Sequence, residues 1–433
     1  MSLENRRFQW PVGQGFFHSG ALIFENNTEL HYVYDCGAMP KYKAAREAAI
    51  SDCINLLTGK KLDLLFISHV HADHVNGLPS LLDKKSGINV DTIIMPFVNV
   101  EERIYSYAMS CVESPEAATN EFYQAFIVDP EGELSKFGPN RILFVEGGES
   151  GAPGRDGDLD LSPLDDPDDL LGVRDDRDRK WKMIGTGKVK PNEESNYSGI
   201  RSCTIPDSAA ILSVNHSDNL MWVLSPYIDP VFAKSKTKFL KALAKEKGMS
   251  LQALSEWLQK IENIKILVTL GISDLKAAFS QVTNNLNISS MCLYSGPLLK
   301  FSSVHSAENN VKIGKWHSHV TGIDNTGWLA TGDAALKKRS RCEALLTHYG
   351  QLLADLVTMT LPHHGSDHNF NIRLVNELSC EFYVAAADKY ANWKHPGPFS
   401  IQSVASKGRF VNVVTSSKLS GVVENVRIRQ ISA

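Results

Sequence analysis

Three imidazoles and one carboxylate fall within six residues at His69, His71, Asp73 and His74, in the string Ser68-His69-Val70-His71-Ala72-Asp73-His74. Imidazole nitrogen and carboxylate oxygen are ligand types for zinc, manganese or iron, and four of them exceed what one tetrahedral ion takes from so short a loop. The string therefore points to two metal ions. It directly follows LDLLFIS, a nearly continuous apolar run that reads as a strand covered on both faces. The carboxyl end of such a strand is where α/β sheets place ligands.

Other chemistry-bearing residues stand at the ends of strand-like runs. Asp333 closes WLATGD, and His363 and His364 close LVTMTLP, 30 and 31 residues further on. Asp35 lies in YVYDCG and His395 in Lys394-His395-Pro396. Val12-Gly13-Gln14-Gly15, ALIF, YVYDCG, the HxHxDH string, NNLNISSMCLY, WLATGDA, LPHHGS and the Lys-His-Pro element follow one another from about residue 10 to 400. In that order they resemble the motifs of the metallo-β-lactamase fold superfamily, and within it the ComEC-type branch, the hydrolase domain attached to bacterial DNA-uptake channels.

The resemblance implies an αββα sandwich with two divalent ions, zinc or manganese. His69 and His71 would hold one ion and Asp73 and His74 the other. Asp333 would bridge both, with a hydroxide shared between cations about 3.5 to 4 Å apart. His364 would complete the second site, leaving His363 or His395 to touch substrate or protonate the leaving group. The order of His363 and His364 stays open, and His395 is the rival to His364 as ligand. Asp73, His363 and His395 are the residues expected to act in catalysis. Asp35 would accept a hydrogen bond that orients the His-rich loop.

The chain departs from the superfamily pattern in three places. Phe16 stands where an acidic residue usually follows VGQG, and Asn76 where a glycine usually does. Where many members supply another His to the first metal, this chain has Asn285, Asn287 and Ser289, residue types that the ComEC-type branch also carries there. His216, His305, His317 and His319 are alternative donors, each expected to be an ordinary turn or surface residue.

The elements that must position these groups are read from patterning. Strand-like runs at Gly20 to Phe24, His31 to Tyr34, Leu62 to Ser68, Thr92 to Val98 and Arg141 to Val145 alternate with helix-permissive stretches. From Gly151 to Lys180 ten Asp face five Arg or Lys, too polar a text to bury. Residues 151–198 are therefore expected to form an acidic, flexible surface insertion. A second, helical insertion is expected over 231–283, where Leu251, Leu254, Trp257, Leu258 and Ile261 have amphipathic spacing. In AKSKTKFLKALAKEK, six lysines would attract a phosphate backbone or form a solvated helix face. The sandwich is expected as one domain over 1–433 that carries both insertions outside.

The chain has 433 residues, 43% apolar and 22% charged, the balance of a folded globular protein. Its 45 basic and 49 acidic side chains give a net charge of −4, which excludes a global footprint for nucleic acid or anionic membrane. No apolar run reaches 18 residues, and the seven cysteines are odd in number and never arranged as CxxC. The expected home is a reducing cytoplasm, with no membrane contact. GxSxG, P-loop and GxGxxG signatures are missing. The expected function is a phosphodiesterase or nuclease. The alternatives are hydrolysis of a small ester, lactam or phosphocholine-like group, or a non-catalytic sensor subunit of a bacterial defence system that meets a protein partner through the insertions.

Overall fold

The computed structural model describes residues 2–430 apart from 149–150, 157–161, 165–178, 193–196, 198, 214–219, 231–232, 283–288, 299–304, 314–315 and 322–324. Two mixed sheets stack face to face. The first has eleven strands: β1 (Ser2–Gln9), β2 (Phe17–Phe24), β3 (Glu29–Cys36), β4 (Leu62–Phe66), β5 (Val90–Pro96), β6 (Arg141–Glu146), β8 (Lys190–Pro191), β9 (Arg201–Pro206), β13 (His305–Ile313), β14 (Trp316–Thr321) and β19 (Val422–Gln430). The second has eight: β7 (Trp181–Gly185), β10 (Ala209–Ser213), β11 (Met221–Asp229), β12 (Ser290–Leu298), β15 (Gly327–Ala330), β16 (Leu356–Thr360), β17 (Phe382–Ala386) and β18 (Val411–Val414).

The first sheet runs β14-β13-β19-β1-β2-β3-β4-β5-β6-β9-β8 and the second β18-β17-β16-β15-β12-β11-β10-β7. In each, an antiparallel portion meets a parallel one: β3 through β6 and β9 in the first, β15 through β18 in the second. Parallel strands need coverage on both faces, and the apolar text of β4 provides for it. Leu64 and Phe66 point into the layer between the sheets with Tyr34, Trp222 and Trp328, while Leu62 and Leu65 point to the outer helices.

Those helices are α1 (Lys43–Leu57), α2 (Ala72–Val75), α3 (Leu78–Leu81), α4 (Val100–Glu113), α5 (Glu121–Val128), α6 (Pro130–Ser135), α7 (Ala233–Glu246), α8 (Leu251–Leu258), α9 (Ile261–Leu270) and α10 (Ile272–Ser280). On the opposite side α11 (Arg339–Tyr349), α12 (Arg373–Asn376) and α13 (Pro398–Ala405) cover the second sheet, where Leu345 and Tyr349 meet Leu329 and Met359. The result is an αββα sandwich. Within 231–283 the described residues form α7 to α10, and these pack through Phe239, Leu243, Leu254, Leu267 and Phe279 onto the core shared with α4 and α5.

The acidic stretch needs a correction. Residues 181–185 are not outside the sandwich but form β7, the edge strand of the second sheet, paired with β10. Trp181 is buried beneath the Arg141 guanidinium, 5.7 Å from its ring centroid. The aspartates that precede it hid the strand, because composition averaged over thirty residues dilutes a five-residue apolar core. The acidic run 165–178 itself lies outside the described residues.

Candidate metal centre

Each candidate ligand sits just beyond the carboxyl end of a parallel strand, so both sheets aim their groups at one edge of the sandwich. Beyond β4 the chain forms the His69–His74 loop and enters α2, beyond β15 it reaches Asp333, and beyond β16 it turns through His363 and His364. Close backbone approach locks the loop. A Cβ on Gly37 would lie 2.4 Å from the Asp73 carbonyl carbon, and one on Gly15 2.4 Å from Ala38 Cα. Asn76, the residue found in place of a usual glycine, clamps the same contact: Nδ2 donates to Ala38 O at 2.8 Å and Oδ1 accepts from Ala38 N at 3.1 Å. Phe16, the other departure, lays its ring parallel to His74 with centroids 6.3 Å apart.

The six groups converge in buried space. Three overlapping sets, His69–His71–Asp73, His69–His74–Asp333 and Asp73–His74–His364, each bring three ligand atoms within 4.8 Å of one another. Asp333 divides its oxygens between the two sides. Oδ2 lies 3.5 Å from His69 Nε2, and Oδ1 lies 3.6 Å from His74 Nε2 and 3.9 Å from His364 Nε2. His364 Nε2 is 3.4 Å from Asp73 Oδ2. Ligands about 2.1 Å from a tetrahedral ion stand about 3.4 Å apart, so these separations suit atoms facing a common cation. The Nε2 atoms of His69, His71 and His74 and Asp333 Oδ1 are buried without a hydrogen-bond partner. Such orphans are costly unless something else satisfies them.

The hydrogen-bond network fixes which nitrogen each ring offers. Asp35 accepts from Ser68 N and Ser68 Oγ, both at 2.6 Å, and from His74 Nδ1 at 2.8 Å. With its proton committed to Asp35, Ser68 Oγ accepts from His69 Nδ1 at 2.8 Å. His364 Nδ1 donates to Ala386 O at 2.8 Å. In their neutral forms these three imidazoles therefore turn an unprotonated Nε2 inward, the form a cation requires. His71 is reversed, with Nδ1 2.7 Å from Asp73 Oδ1 and Nε2 3.0 Å from Glu113 Oε2, the latter pair not aligned as a hydrogen bond.

Charge follows geometry. Burial, reinforced by His74, holds His69 well below its ordinary pKa. Burial also opposes charge on His71 and His74, but Asp73 and Glu113 raise the first well above its usual range, and Asp73, Asp35 and Asp333 lift the second to about 9. For Asp333 burial is outweighed by His363, His69, His74 and His364, which lower its carboxyl. The extra protons on His71 and His74 thus carry positive charge where cations would bring it.

His363 and His395 border the cluster without joining a ligand set. His363 is 20% exposed with Nε2 3.7 Å from Asp333 Oδ2, and its Nδ1 pairs with Asn369 Oδ1 at 3.1 Å. His395 lies with its centroid 5.4 Å from His363 and 6.0 Å from His364. Its Nδ1 is 3.2 Å from Gln14 Nε2. Both His363 (φ 49°) and His364 (φ 57°) are left-handed, as is Asp35 (φ 57°).

Several contributors were not named from sequence. Glu113, at the end of α4 and 42 residues from His71, had no signal. Ser290, rather than Ser289, anchors Asp333 by accepting from its backbone N at 3.0 Å. Ser289 instead lies 3.4 Å from Glu102, and Asn285 and Asn287 lie outside the described residues. The alternative histidines do not fill the gap among described residues: His305 belongs to β13, and His317 and His319 to β14, five and six strands from β4. His216 lies outside the described residues. A cleft lined by Lys43, Arg46, Asn76, Ser110, Ser114 and Asn120 opens onto His71 and Asp73.

Residues 15–88 match the family model of the metallo-beta-lactamase superfamily, a span that contains Asp35 and the whole His69–His74 loop. A solved structure, the crystal structure of a long form RNase Z from yeast, is similar over 83% of this chain and 32% of that one, with a TM-score of 0.27 and 7% identity. The chain spans about a third of the length of that protein. No curated protein matches the sequence. Among the described residues no helix is long and apolar enough to cross a membrane.

Proposed function

We propose that the chain is a metal-dependent hydrolase of phosphodiesters, with nucleic acid as its substrate class. The observation that carries this reading is that Asp333 turns Oδ2 toward His69 and Oδ1 toward His74 and His364, with Oδ1 and the Nε2 atoms of His69 and His74 buried and unpartnered. His69, His71 and one Asp333 oxygen would hold a first ion. Asp73, His74, His364 and the other oxygen would hold a second. Two such ions supply Lewis acidity at both oxygens of an in-line phosphoryl displacement and lower the pKa of water.

The remaining steps belong to the chain. Asn369 Nδ2 donates to Asp333 O at 3.1 Å, which leaves Oδ1 to accept from His363 Nδ1 and turns His363 Nε2 toward the cluster. When protonated, Nε2 can hand a proton to a departing alkoxide, a role worth about 10² to 10⁴ in rate. His395 differs. Asp388 N donates to Gln14 Oε1 at 3.4 Å, so Gln14 Nε2 donates to His395 Nδ1 and the neutral ring carries its proton on Nε2. Burial and the neighbouring His363 and His364 push its pKa down to about 3. At neutral pH His395 therefore donates a hydrogen bond to a phosphoryl oxygen, which leaves the acid's role to His363.

The test is a zinc and manganese series on a chromogenic phosphodiester, single-stranded and duplex DNA, RNA and a lactam. His363→Ala should slow nucleic acid strongly and the chromogenic diester, with its good leaving group, only slightly, at unchanged metal content. Activity on the lactam alone would replace this reading by the small-substrate one.

A further inference from the structure

The loop between β17 and α13 runs beside the cluster and carries three rings, Tyr390, Trp393 and His395. It is pinned at both ends. At the first, Asp388 accepts from Ser416 N at 2.9 Å and from Ser416 Oγ at 2.7 Å, and Lys389 O accepts from Lys41 Nζ at 2.6 Å and from the Tyr42 hydroxyl. At the second, Gly397 N donates to Gly365 O at 2.9 Å, which ties the loop to the turn that holds His363 and His364. Gln14, from the VGQG string, clasps the two ends together through Asp388 N on one side and His395 Nδ1 on the other. Within the loop Trp393 N donates to Tyr390 O at 3.0 Å, and Tyr390 sets its hydroxyl against Ser114, in the wall of the cleft that opens onto His71 and Asp73. A ring fixed in this way loses little freedom when a ligand covers it.

Trp393 is set apart by what it does not touch. Trp10 is stacked with Phe8 and Phe17, Trp328 with His18 at 3.9 Å, and Trp181 has the Arg141 and Arg179 guanidiniums over its ring. Trp222 is wholly buried, and its Nε1 donates to Ser295 Oγ at 2.9 Å. Trp393 packs against the core shared with α4 and α5 and stays partly exposed. Among the described residues no ring stacks parallel to it, no cation lies over it and no acceptor meets its Nε1. Its two ring neighbours are inclined, Tyr390 by 58° at 5.3 Å and His395 by 38° at 5.5 Å between centroids. From His395 the next ring is His363, 5.4 Å away, and His363 Nε2 is 3.7 Å from Asp333 Oδ2. The indole thus stands two rings from the carboxylate of the cluster, where a base joined through its sugar to a phosphate at Asp333 comes within reach.

We propose that Trp393 is a stacking platform for a nucleobase of the substrate, the base of the nucleotide whose phosphate meets the metal cluster. The proposal rests on the phosphodiesterase reading and narrows its substrate to an unpaired nucleotide, because a base inside a duplex has both faces covered by its neighbours. Every base has a π-face, so such a platform tolerates any sequence, and stacking of one base on an aromatic side chain strengthens binding about 5- to 150-fold.

The experiment titrates the zinc- or manganese-loaded protein calorimetrically with adenosine 5′-monophosphate, adenosine 3′-monophosphate and ribose 5-phosphate, which presents sugar and phosphate without a base. The tighter of the two adenosine phosphates should exceed ribose 5-phosphate in affinity by about 5- to 150-fold. Trp393→Leu, which keeps an apolar side chain, should erase that preference, and Trp393→Phe, which keeps a ring, should retain most of it. The same adenosine phosphate should quench indole fluorescence in the parent and not in Trp393→Phe, a comparison that decides by itself if Trp393→Leu does not fold. Equal affinity of the parent for the ribose and adenosine phosphates, a preference retained by Trp393→Leu, or quenching that persists in Trp393→Phe overturns the platform. Base preference in a parent that hydrolyses no chromogenic diester with either metal keeps the platform and removes the phosphodiesterase reading. Diester hydrolysis by a parent without base preference does the reverse.

Discussion

Asp35→Asn isolates the relay behind the cluster, because it keeps the side chain's size and removes only its charge and part of its acceptor capacity. Asp35 is wholly buried and accepts three hydrogen bonds, from Ser68 N, Ser68 Oγ and His74 Nδ1. An Asn in its place can accept from Ser68 N but turns an NH₂ toward the other two donors. His74 must then accept at Nδ1, which moves its proton to Nε2. Ser68 must accept from the new NH₂, which releases its own proton toward His69 Nδ1 and moves the His69 proton inward as well. Two inward nitrogens lose their lone pairs from one substitution.

Loss of such a partner typically lowers metal affinity 10- to 100-fold, or about 1.4 to 2.7 kcal/mol per ion. His69 and His74 between them belong to all three ligand sets, so both ions should weaken. Stability should behave differently. Burial raises the Asp35 carboxyl pKa, so the ionised group costs folding free energy at neutral pH, and a neutral Asn removes that cost. The lost charge-assisted hydrogen bonds act in the other direction, at about 1.5 to 3 kcal/mol each, and the metal-free melting temperature should move only a few degrees. Competitive titration with a chelating dye reads the affinity, and imidazole ¹⁵N spectra read the tautomers. A folded variant with parental affinity for both ions would refute the relay.

Asp333→Ala should weaken both ions together, whereas His364→Ala should empty mainly the second, as metal content after dialysis would show. Glu113→Ala should release His71 and lower the content from two ions toward one, while Asp73, His74 and His364 keep theirs; equal loss at both sites would remove Glu113 from the first. The folded-state pKa of His74 is raised to about 9 from 6.5. The proton it gains therefore stabilises the metal-free fold fully below pH 6.5, and this stabilisation is lost as pH rises through 9. An incoming cation must displace that proton, so metal affinity should rise up to tenfold per pH unit across the same window, read calorimetrically in buffers of differing ionisation enthalpy.

What could be read from the sequence was local. The His69–His74 loop declares itself because its candidate ligands are contiguous and follow a strand of unbroken apolar text. Asp333 and His364 stand at strand ends for the same topological reason, although the pairing of β15 with β16 had to be supplied by the fold. Glu113 was illegible because its contact with His71 comes from packing a helix end against a loop. β1 was missed for a different cause. Its inward residues are Leu3, Asn5, Arg7 and Gln9, and the buried Arg7 is matched by Glu424 at 2.9 Å on β19, over 400 residues later. A strand whose buried face is polar shows no apolar alternation. β7 was lost beside its acidic neighbours, because the apolar signal that begins at Trp181 runs for only five residues.

The left-handed backbone at Asp35, His363 and His364 bears on how such a chain would drift. Each non-glycine residue held there costs about 1 to 3 kcal/mol, and glycine would relax every one of them. At Asp35 the three buried hydrogen bonds outweigh that relief, so a screen that rewarded thermal endurance alone would favour glycine first at His363, the most exposed of the three, whose ring makes one hydrogen bond, to Asn369. A laboratory lineage propagated without selection for chemistry should lose the His363 side chain early and keep Asp35, whose hydrogen bonds hold the loop whether or not the cluster works.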